Sequence, residues 1–213
     1  MKSRHIELLN LIGIDTCWYK EELHSLSNKS SLQQLRLEAD NCHKCKLHET
    51  RNNVVFGDGD EKAEVLIIGE APGQEEDKSG KPFVGRAGKL LTEILFSMGL
   101  SRESVYITNT VKCRPPENRN PTTREIHSCA SFLDQQIKII QPKIIILLGK
   151  IAAERVLCTS EPMSSLRGKV HRYKDFTIPI YVFYHPAYLL RSPSEKRKVW
   201  DDILLMKENL NVT

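Results

Sequence analysis

Four short runs of aliphatic residues, separated by longer amphipathic segments, organise this chain. They contain few polar positions and lie at 64–68, 105–108, 143–149 and 178–184. Such runs are typical of strands that are buried on both faces of a sheet. Between and around them apolar residues recur at helical spacing, which predicts helices at 32–39, 87–98, 123–140, 150–158 and 193–210. Alternation of strands and helices predicts an α/β fold, a three-layer α/β/α sandwich around a central, mainly parallel four-stranded sheet.

The first thirty residues differ from the rest of the chain. An apolar stretch interrupted by Glu7 and Asn10 leads into a polar segment that ends near residue 31. We therefore expect a helical extension of unknown role at 1–30 and a single domain at 31–213. The longest aliphatic run, 144–148, is too short to cross a membrane, and no small-residue cleavage site follows the N-terminal stretch. These features predict a cytoplasmic protein without a membrane partner, and we expect a monomer.

Composition narrows the class of protein only slightly. The chain has 213 residues, of which 40% are hydrophobic and 27% charged, and this is enough to bury one sizeable core. A formal net charge of +4 is compatible with binding nucleic acid but does not require it. No P-loop or dinucleotide-binding fingerprint occurs in the sequence.

Cysteines provide the first candidate for metal chemistry. Cys42 and Cys45 form a C-x2-C pair, which allows two thiolates to converge on one metal, and Cys113 and Cys129 lie much farther along the chain. Six cysteines are too few for a disulfide scaffold of this length, so clustered cysteines are interpreted as metal ligands. On geometric grounds, four cysteines suit a zinc ion and an iron–sulfur cluster equally well. The other two cysteines are interpreted as small hydrophobic residues.

Polar or aromatic residues follow three of the predicted strands, at the edge where parallel sheets bind ligands. Glu70, in the segment GEAPG at 69–73, is either a functional carboxylate or a capping residue. Phe83 lies in a glycine-flanked loop and either stacks on a planar ligand or anchors the loop. Asn109 offers a side-chain acceptor and donor that suit the polar edge of a planar ligand, but an asparagine that bonds its own turn is the ordinary alternative. His185 ends the fourth strand.

Two loops carry candidate DNA contacts. The proline-rich segment at 114–121 contains Arg114 and Arg119, which either bind phosphate or belong to a simple connector. Leu189, Leu190 and Arg191 follow His185. They form either a wedge that enters a base stack, with the arginine on phosphate, or the first turn of a helix packed on the core.

Taken together, these motifs resemble the family-four uracil-DNA glycosylases, the iron–sulfur branch of the uracil-DNA glycosylase superfamily. The resemblance rests on GEAPG at 69–73, PFVGRAG at 82–88, Asn109 with KCRPP at 112–116, HPA at 185–187 and the spacing of the four cysteines. It extends from about residue 32 to near the C-terminus. An inserted histidine-containing loop, found in a relative that captures its substrate covalently, does not follow the phenylalanine motif here. Another branch has an apolar residue where this chain has Glu70.

The resemblance implies a monofunctional enzyme that hydrolyses the glycosidic bond of flipped-out deoxyuridine in DNA and leaves an abasic site. Glu70 and His185 would be catalytic, the first acting on the attacking water and the second on uracil O2. The implied uracil pocket consists of Gly69, Glu70, Ala71, Phe83, Asn109 and His185. A [4Fe–4S] cluster would be held by Cys42, Cys45, Cys113 and Cys129, and DNA would be contacted by Arg114, Arg119, Leu189, Leu190 and Arg191.

Three alternatives remain at this point. A non-catalytic iron–sulfur or zinc module that binds nucleic acid would explain the cysteines and the basic loops, but it would leave Glu70 and His185 without a role. A nucleotide hydrolase on the same fold is a second alternative, because a fold does not determine a function. An iron–sulfur redox sensor is the third, and uracil excision distinguishes all three from the glycosylase.

Overall fold

The computed structural model describes residues 31–172 and 178–210. Six strands in these ranges form one sheet, in the order β1-β3-β2-β4-β6-β5. They are β1 (Asp58–Gly59), β2 (Val65–Gly69), β3 (Tyr106–Asn109), β4 (Ile144–Leu148), β5 (His171–Arg172) and β6 (Pro179–Phe183). The expected helical extension at 1–30 lies outside the described residues.

The centre of the sheet confirms the expected parallel core. Strands β3, β2, β4 and β6 pair in parallel with their neighbours. Strands β1 and β5 pair antiparallel at the two edges, so the expected count of four strands is two too small. Each of these edge strands has two residues, which is too short for a hydrophobic pattern to reveal.

Helices cover the sheet on both faces. The α-helices within the described ranges are α1 (Leu32–Asp40), α2 (Gln74–Ser79), α3 (Arg86–Ser97), α4 (Thr123–Ile140), α5 (Lys150–Leu157), α6 (Met163–Leu166), α7 (Pro186–Arg191) and α8 (Lys196–Leu210). The five expected helices are present, the last beginning with a separate 3-10 turn at Pro193–Glu195. Helices α2, α6 and α7 have four to six residues, which is too short for helical periodicity to be detected.

The three layers follow from the alternation of side chains along each strand. Leu66 and Ile68 of β2 belong to one hydrophobic cluster, which contains residues of α1, α4, α5 and α6. Val65 and Ile67 belong to the other cluster, with residues of α3, α7 and α8. This confirms the expected α/β/α sandwich. Within the described ranges, no helix combines the length and the apolar character that a membrane span requires.

Helix α4 illustrates how local sequence positions a candidate ligand. Thr122 and Glu125 form a capping box, in which each side chain accepts a hydrogen bond from the backbone N–H of the other residue. The helix ends at Gln141, which adopts a left-handed conformation. Cys129 lies on the buried face of this helix, about two turns beyond the N-cap Thr122.

Candidate active site

The carboxyl ends of neighbouring parallel strands bring two predicted site residues side by side. Gly69 at the end of β2 is the register partner of Asn109 at the end of β3. Both the backbone N–H and the hydroxyl of Thr110 donate to the carbonyl oxygen of Gly69, at 2.9 and 3.0 Å. These bonds fix the backbone of Gly69, and with it the start of the Glu70 segment, against β3.

Gly69 also allows two side chains to approach the backbone closely. A Cβ atom at this position would lie 2.4 Å from Asn109 Oδ1 and 2.6 Å from Phe83 Cζ. Both distances are shorter than real Cβ contacts allow. The absence of a side chain at Gly69 is therefore a condition for the convergence of Asn109 and Phe83.

Asn109 carries the clearest chemical signal in this region. Its side chain is almost completely buried, and its Oδ1 atom has no hydrogen-bond partner among residues 31–172 and 178–210. Leaving a buried acceptor unpaired costs about 1–3 kcal/mol. An acceptor in this state is suited to a donor that arrives with a ligand.

The Phe83 loop is held in a strained conformation. Phe83 has φ of +54°, which costs a residue with a side chain about 1–3 kcal/mol and is common at functional sites. Glu76 Oε1 accepts hydrogen bonds from the backbone N–H groups of Val84 and Gly85, at 2.8 and 2.9 Å. Arg102 donates to the carbonyl oxygen of Phe83 at 3.0 Å. The loop is thus fixed from both sides.

The two residues that hold the Phe83 loop, Glu76 and Arg102, were not identified from the sequence. Glu76 occupies the first turn of the short helix α2, and a carboxylate close after a glycine-rich strand end is the only sequence signal for it. Arg102 lies nineteen residues beyond Phe83 and gives no such signal. Its role depends on the tertiary structure alone.

His185 joins the same group from the end of β6. Its ring centroid lies 5.6 Å from that of Phe83, with an angle of 33° between the planes. Gly149, at the end of β4, has φ of +87°, and a Cβ there would lie 3.0 Å from His185 Cβ. Phe83, Asn109 and His185 therefore surround the ends of three parallel strands, although they are far apart in sequence.

The protonation state of His185 follows from its surroundings. Burial lowers the pKa of His185 to about 4, and the positive charge of Arg191 acts in the same direction. The imidazole is therefore neutral at pH 7. Its Nδ1 atom accepts a hydrogen bond from the backbone N–H of Ala187 at 3.1 Å. The single ring proton must then reside on Nε2, which makes this nitrogen a donor.

Glu70 follows Gly69 directly and is half-buried. Burial raises the pKa of its carboxyl group. Within the described ranges, no hydrogen bond or ion pair involves this carboxylate, which does not favour the alternative of a capping or salt-bridged glutamate. Ala71, the next residue, packs against the core cluster beside α1 and α4.

The candidate DNA contacts at 189–191 divide into buried and exposed residues. Leu189 is only 1% exposed and belongs to the core cluster of α3 and α8. Leu189 therefore belongs to a helix packed on the core and not to a wedge that enters the DNA. Leu190 is half-buried, and Arg191 is exposed at the end of α7.

The two arginines of the proline-rich loop have partners within the protein. Arg114 is half-buried and donates from Nε to Asn118 Oδ1 at 2.7 Å. Arg119 forms two hydrogen bonds to the carboxylate of Glu125, at 2.9 and 2.7 Å. The Arg119 side chain remains 43% exposed, so this pair supports the capping box of α4 and still presents positive charge at the surface.

The four predicted cysteine ligands line one cavity. Cys42 and Cys45 precede the 3-10 turn Lys46–Glu49, Cys113 follows β3, and Cys129 lies on α4. All four are free thiols. No three or more His, Cys, Asp or Glu side chains in the described ranges are grouped closely enough to hold a single metal ion. The cysteines surround a space without converging on one point.

Basic side chains line the same cavity and were not predicted from the sequence. They are Lys44, His48, Arg51 and Lys112. Arg51 donates to Cys113 Sγ at 3.2 Å, and its other bonds are to the carbonyl oxygens of Cys42 and Asp40. Burial lowers the pKa of Lys112 to about 7 and raises the pKa of Cys129 to about 11. The basic residues that line this cavity make it suited to an anionic occupant.

Comparison with known proteins identifies the family of this chain. Residues 56–204 match the family model described as the uracil DNA glycosylase superfamily. The chain is 44% identical to a type-4 uracil-DNA glycosylase of Archaeoglobus fulgidus, over 81% of this chain and 89% of that protein. It is 46% identical to a type-4 uracil-DNA glycosylase of Thermotoga maritima, over 76% of this chain and 85% of that protein. A type-5 uracil-DNA glycosylase of Pyrobaculum aerophilum is 31% identical over 61% of this chain and 63% of that protein.

Proposed function

Because the chain belongs to the uracil DNA glycosylase superfamily, we propose that it removes uracil from DNA by hydrolysing the bond between the base and its sugar. Its type-4 relatives carry this activity in their names. The target nucleotide must leave the duplex before the bond can be reached, which costs a few kcal/mol of unstacking and unpairing. The geometry at the strand ends provides a group for each later step.

The observation that carries the proposal is the unpartnered Oδ1 atom of Asn109 beside the ring of Phe83. Uracil presents an N3–H donor next to a carbonyl oxygen, and an asparagine amide offers the complementary acceptor and donor. Cytosine has no hydrogen on N3, so it would leave the Asn109 acceptor unpaired. Stacking on Phe83 would contribute about 1–3 kcal/mol toward holding the flipped base.

His185 stabilises the leaving base. Negative charge grows on uracil O2 as the bond between C1′ and N1 breaks. The neutral imidazole of His185 carries its proton on Nε2, and this N–H donates a hydrogen bond to the oxygen. The loss of one such donor typically lowers the rate about 10²–10³-fold.

Glu70 acts on the sugar side of the bond. Its carboxylate orients the attacking water or accepts a proton from it, and its negative charge favours the positive charge that develops on the sugar. A raised pKa brings this group closer to the operating pH. Lys112 is almost completely buried, so its amine is not placed to attack the sugar, and we expect a monofunctional reaction that leaves an abasic site.

The cysteine cavity fits a [4Fe–4S] cluster held by Cys42, Cys45, Cys113 and Cys129. Four thiolates around an open space suit a polynuclear cluster better than a single zinc ion, whose thiolates must converge at about 2.3 Å from the metal. The bound cluster would supply a structural cross-link between the segment around Cys42, the loop after β3 and helix α4. Arg51 and Lys112, which are less exposed than Lys44, would balance its negative charge.

DNA contacts are proposed for the surface around this site. Leu190 and Arg191 are the candidates for entering the duplex and binding phosphate, whereas Leu189 anchors their helix in the core. Arg114 and Arg119 offer positive charge on the loop next to the cysteine cavity. The proposed enzyme acts on uracil-containing DNA as a cytoplasmic monomer.

An excision assay with matched glutamate variants tests the proposal. Glu70 follows β2 at the site, whereas Glu64 precedes the same strand at its opposite end and forms an exposed ion pair with Lys143. The wild type should excise uracil from an oligonucleotide and leave cytosine and thymine. Glu70→Gln should lower the rate about 10²-fold or more, and Glu64→Gln should retain it. Equal rates in both variants, or no excision by the wild type, would refute the assignment.

A further inference from the structure

Lys112 is a buried basic residue that the proposed reaction does not use. Its side chain is 1% exposed. The Nζ atom donates to Thr108 Oγ1 at 2.7 Å, to the Asn109 carbonyl oxygen at 2.7 Å and to Gln136 Oε1 at 2.6 Å. Three acceptors therefore surround one nitrogen at hydrogen-bond distance.

The neighbours of Lys112 are fixed as acceptors by their own bonds. The Thr108 hydroxyl donates to the Phe56 carbonyl oxygen at 2.8 Å, so its oxygen lone pairs face Lys112. Gln136 Nε2 donates to the same carbonyl oxygen at 2.9 Å, which turns Oε1 toward Lys112. A neutral amine has two hydrogens and could donate to only two of these three acceptors at once. The ammonium form, with three hydrogens, donates to all three.

Lys112 takes part in no salt bridge within the described ranges, although buried charges are normally paired. The charge of Asp134 acts on Lys112 without forming such a pair. The Lys112 side chain lines the cysteine cavity, and its neighbour in sequence, Cys113, is one of the proposed ligands. An anionic group bound in this cavity would therefore balance the charge of Lys112.

We propose that Lys112 is the internal counter-charge of the anionic cluster in the cysteine cavity and positions Asn109 for uracil recognition. The inference rests on the proposed function, because it concerns the same cluster and the same asparagine. Lys112 lines the cavity, and its ammonium group donates to the backbone carbonyl of Asn109. Lys112 is a positioning residue, since it reaches uracil only through Asn109.

Four variants separate charge from packing. Lys112→Met removes both the charge and the donors, and Lys112→Gln removes the charge but keeps a donor. Thr108→Val keeps the charge and removes one acceptor. Lys44→Met is the matched control, because Lys44 lines the same cavity but is exposed to solvent, which screens its charge.

The first measurements are iron per chain, absorbance near 400 nm and the reduction potential of the cluster in the purified holoprotein. A nearby positive charge favours the reduced, more negative cluster, so both Lys112 variants should shift the potential to more negative values. Lys44→Met and Thr108→Val should leave it close to the wild type. An unchanged or more positive potential in the Lys112 variants would overturn the inference.

Loss of the cluster from the Lys112 variants is also decisive. If these variants lose iron and Thr108→Val retains it, the charge is required and the inference stands. If Thr108→Val loses as much iron as Lys112→Met, the cluster depends on packing at this position and the inference fails. These outcomes do not depend on uracil excision, so a failure of the proposed reaction would be recognised separately.

Inhibition by free uracil tests the connection to Asn109. The loss of one hydrogen bond that positions a recognition group should weaken uracil inhibition roughly 2- to 10-fold in Lys112→Met. Lys112→Gln, which keeps a donor for the Asn109 carbonyl oxygen, should recover part of this loss. Equal inhibition constants in the wild type and Lys112→Met would contradict the positioning role.

Discussion

Replacement of Gly69 by alanine tests the geometry on which uracil recognition depends. The added methyl group would lie 2.4 Å from Asn109 Oδ1 and 2.6 Å from Phe83 Cζ, whereas ordinary contacts begin at 3.4 Å. Either the asparagine must move by about 1 Å and the phenylalanine by slightly less, or the strand end must shift. Thr110 opposes a shift of the strand end, because it donates twice to the Gly69 carbonyl oxygen.

The expected effect is larger on activity than on stability. Overpacking of this kind costs about 1–3 kcal/mol of folding free energy. Misplacement of a positioning group by about 1 Å can lower the rate about 10²-fold. We therefore expect kcat/KM for uracil excision to fall about 10²-fold in Gly69→Ala, with a modest decrease in Tm.

Gly99→Ala is the control for stability. Gly99 lies after α3 with φ of +78°, and a Cβ there would meet no atom of the described part of the chain within 4 Å. Alanine at this position is strained by about 1 kcal/mol without approaching the site. Its Tm should fall while its kcat/KM stays at the wild-type level. If Gly69→Ala kept its activity within threefold of the wild type, the close approach of Asn109 and Phe83 would play no part in recognition.

Three further predictions concern ionisable groups whose pKa values are shifted, or whose side chains are buried, in the folded protein. NMR titration of His185 should give a pKa near 4. Because the unfolded chain binds this proton more readily, the contribution of His185 to stability should decrease as pH falls from about 6.5 toward 4. A measured pKa near 6.5 would contradict the burial of this side chain. Hydrogen bonds from Arg119 lower the pKa of Glu125 to about 2, so their stabilisation should be complete above pH 4.5 and lost as pH falls toward 2, and Arg119→Met should remove this acid dependence in denaturation curves. Asp77→Asn should destabilise the protein by about 1–3 kcal/mol in urea unfolding. The buried carboxylate of Asp77 accepts hydrogen bonds from residues 52–53, and an amide group cannot accept all of them. An unchanged unfolding midpoint would show that these bonds contribute nothing to stability.

The candidate site combines two features that are unfavourable for folding alone. Phe83 adopts a left-handed backbone conformation, and Asn109 buries an acceptor without a partner. Each costs about 1–3 kcal/mol. The rest of the structure holds both in place, through Glu76 and Arg102 at the loop and through the pairing of β2 with β3. A bound uracil would relieve at least the second cost, which is a physical reason for the base to be recognised at this position.

Local sequence was sufficient for the layers of the fold. A strand buried on both faces must be apolar at successive positions, and this pattern is visible at 64–68 and 143–149 without knowledge of any contact. The helix at 123–140 was also predicted, and the structure shows that its start depends on the local capping box at residues 122–125. Edge strands of two residues and helices of one turn lack any such repeating pattern, so their existence depends on the pairing or packing that they find in the folded chain.

The strand ends also predicted which residues meet, because parallel strands place their carboxyl ends at one edge of the sheet. Sequence could not decide between the alternatives at each position. The unpaired state of Asn109 Oδ1, the neutral state of His185 and the core position of Leu189 are set by atoms that lie far away in sequence. Hydrogen bonding and desolvation depend on distance in space, and only the tertiary structure determines that distance. Lys112 shows this most clearly, since in the sequence it is one of many surface-type lysines and in the folded protein it is a buried cation between the cysteine cavity and Asn109.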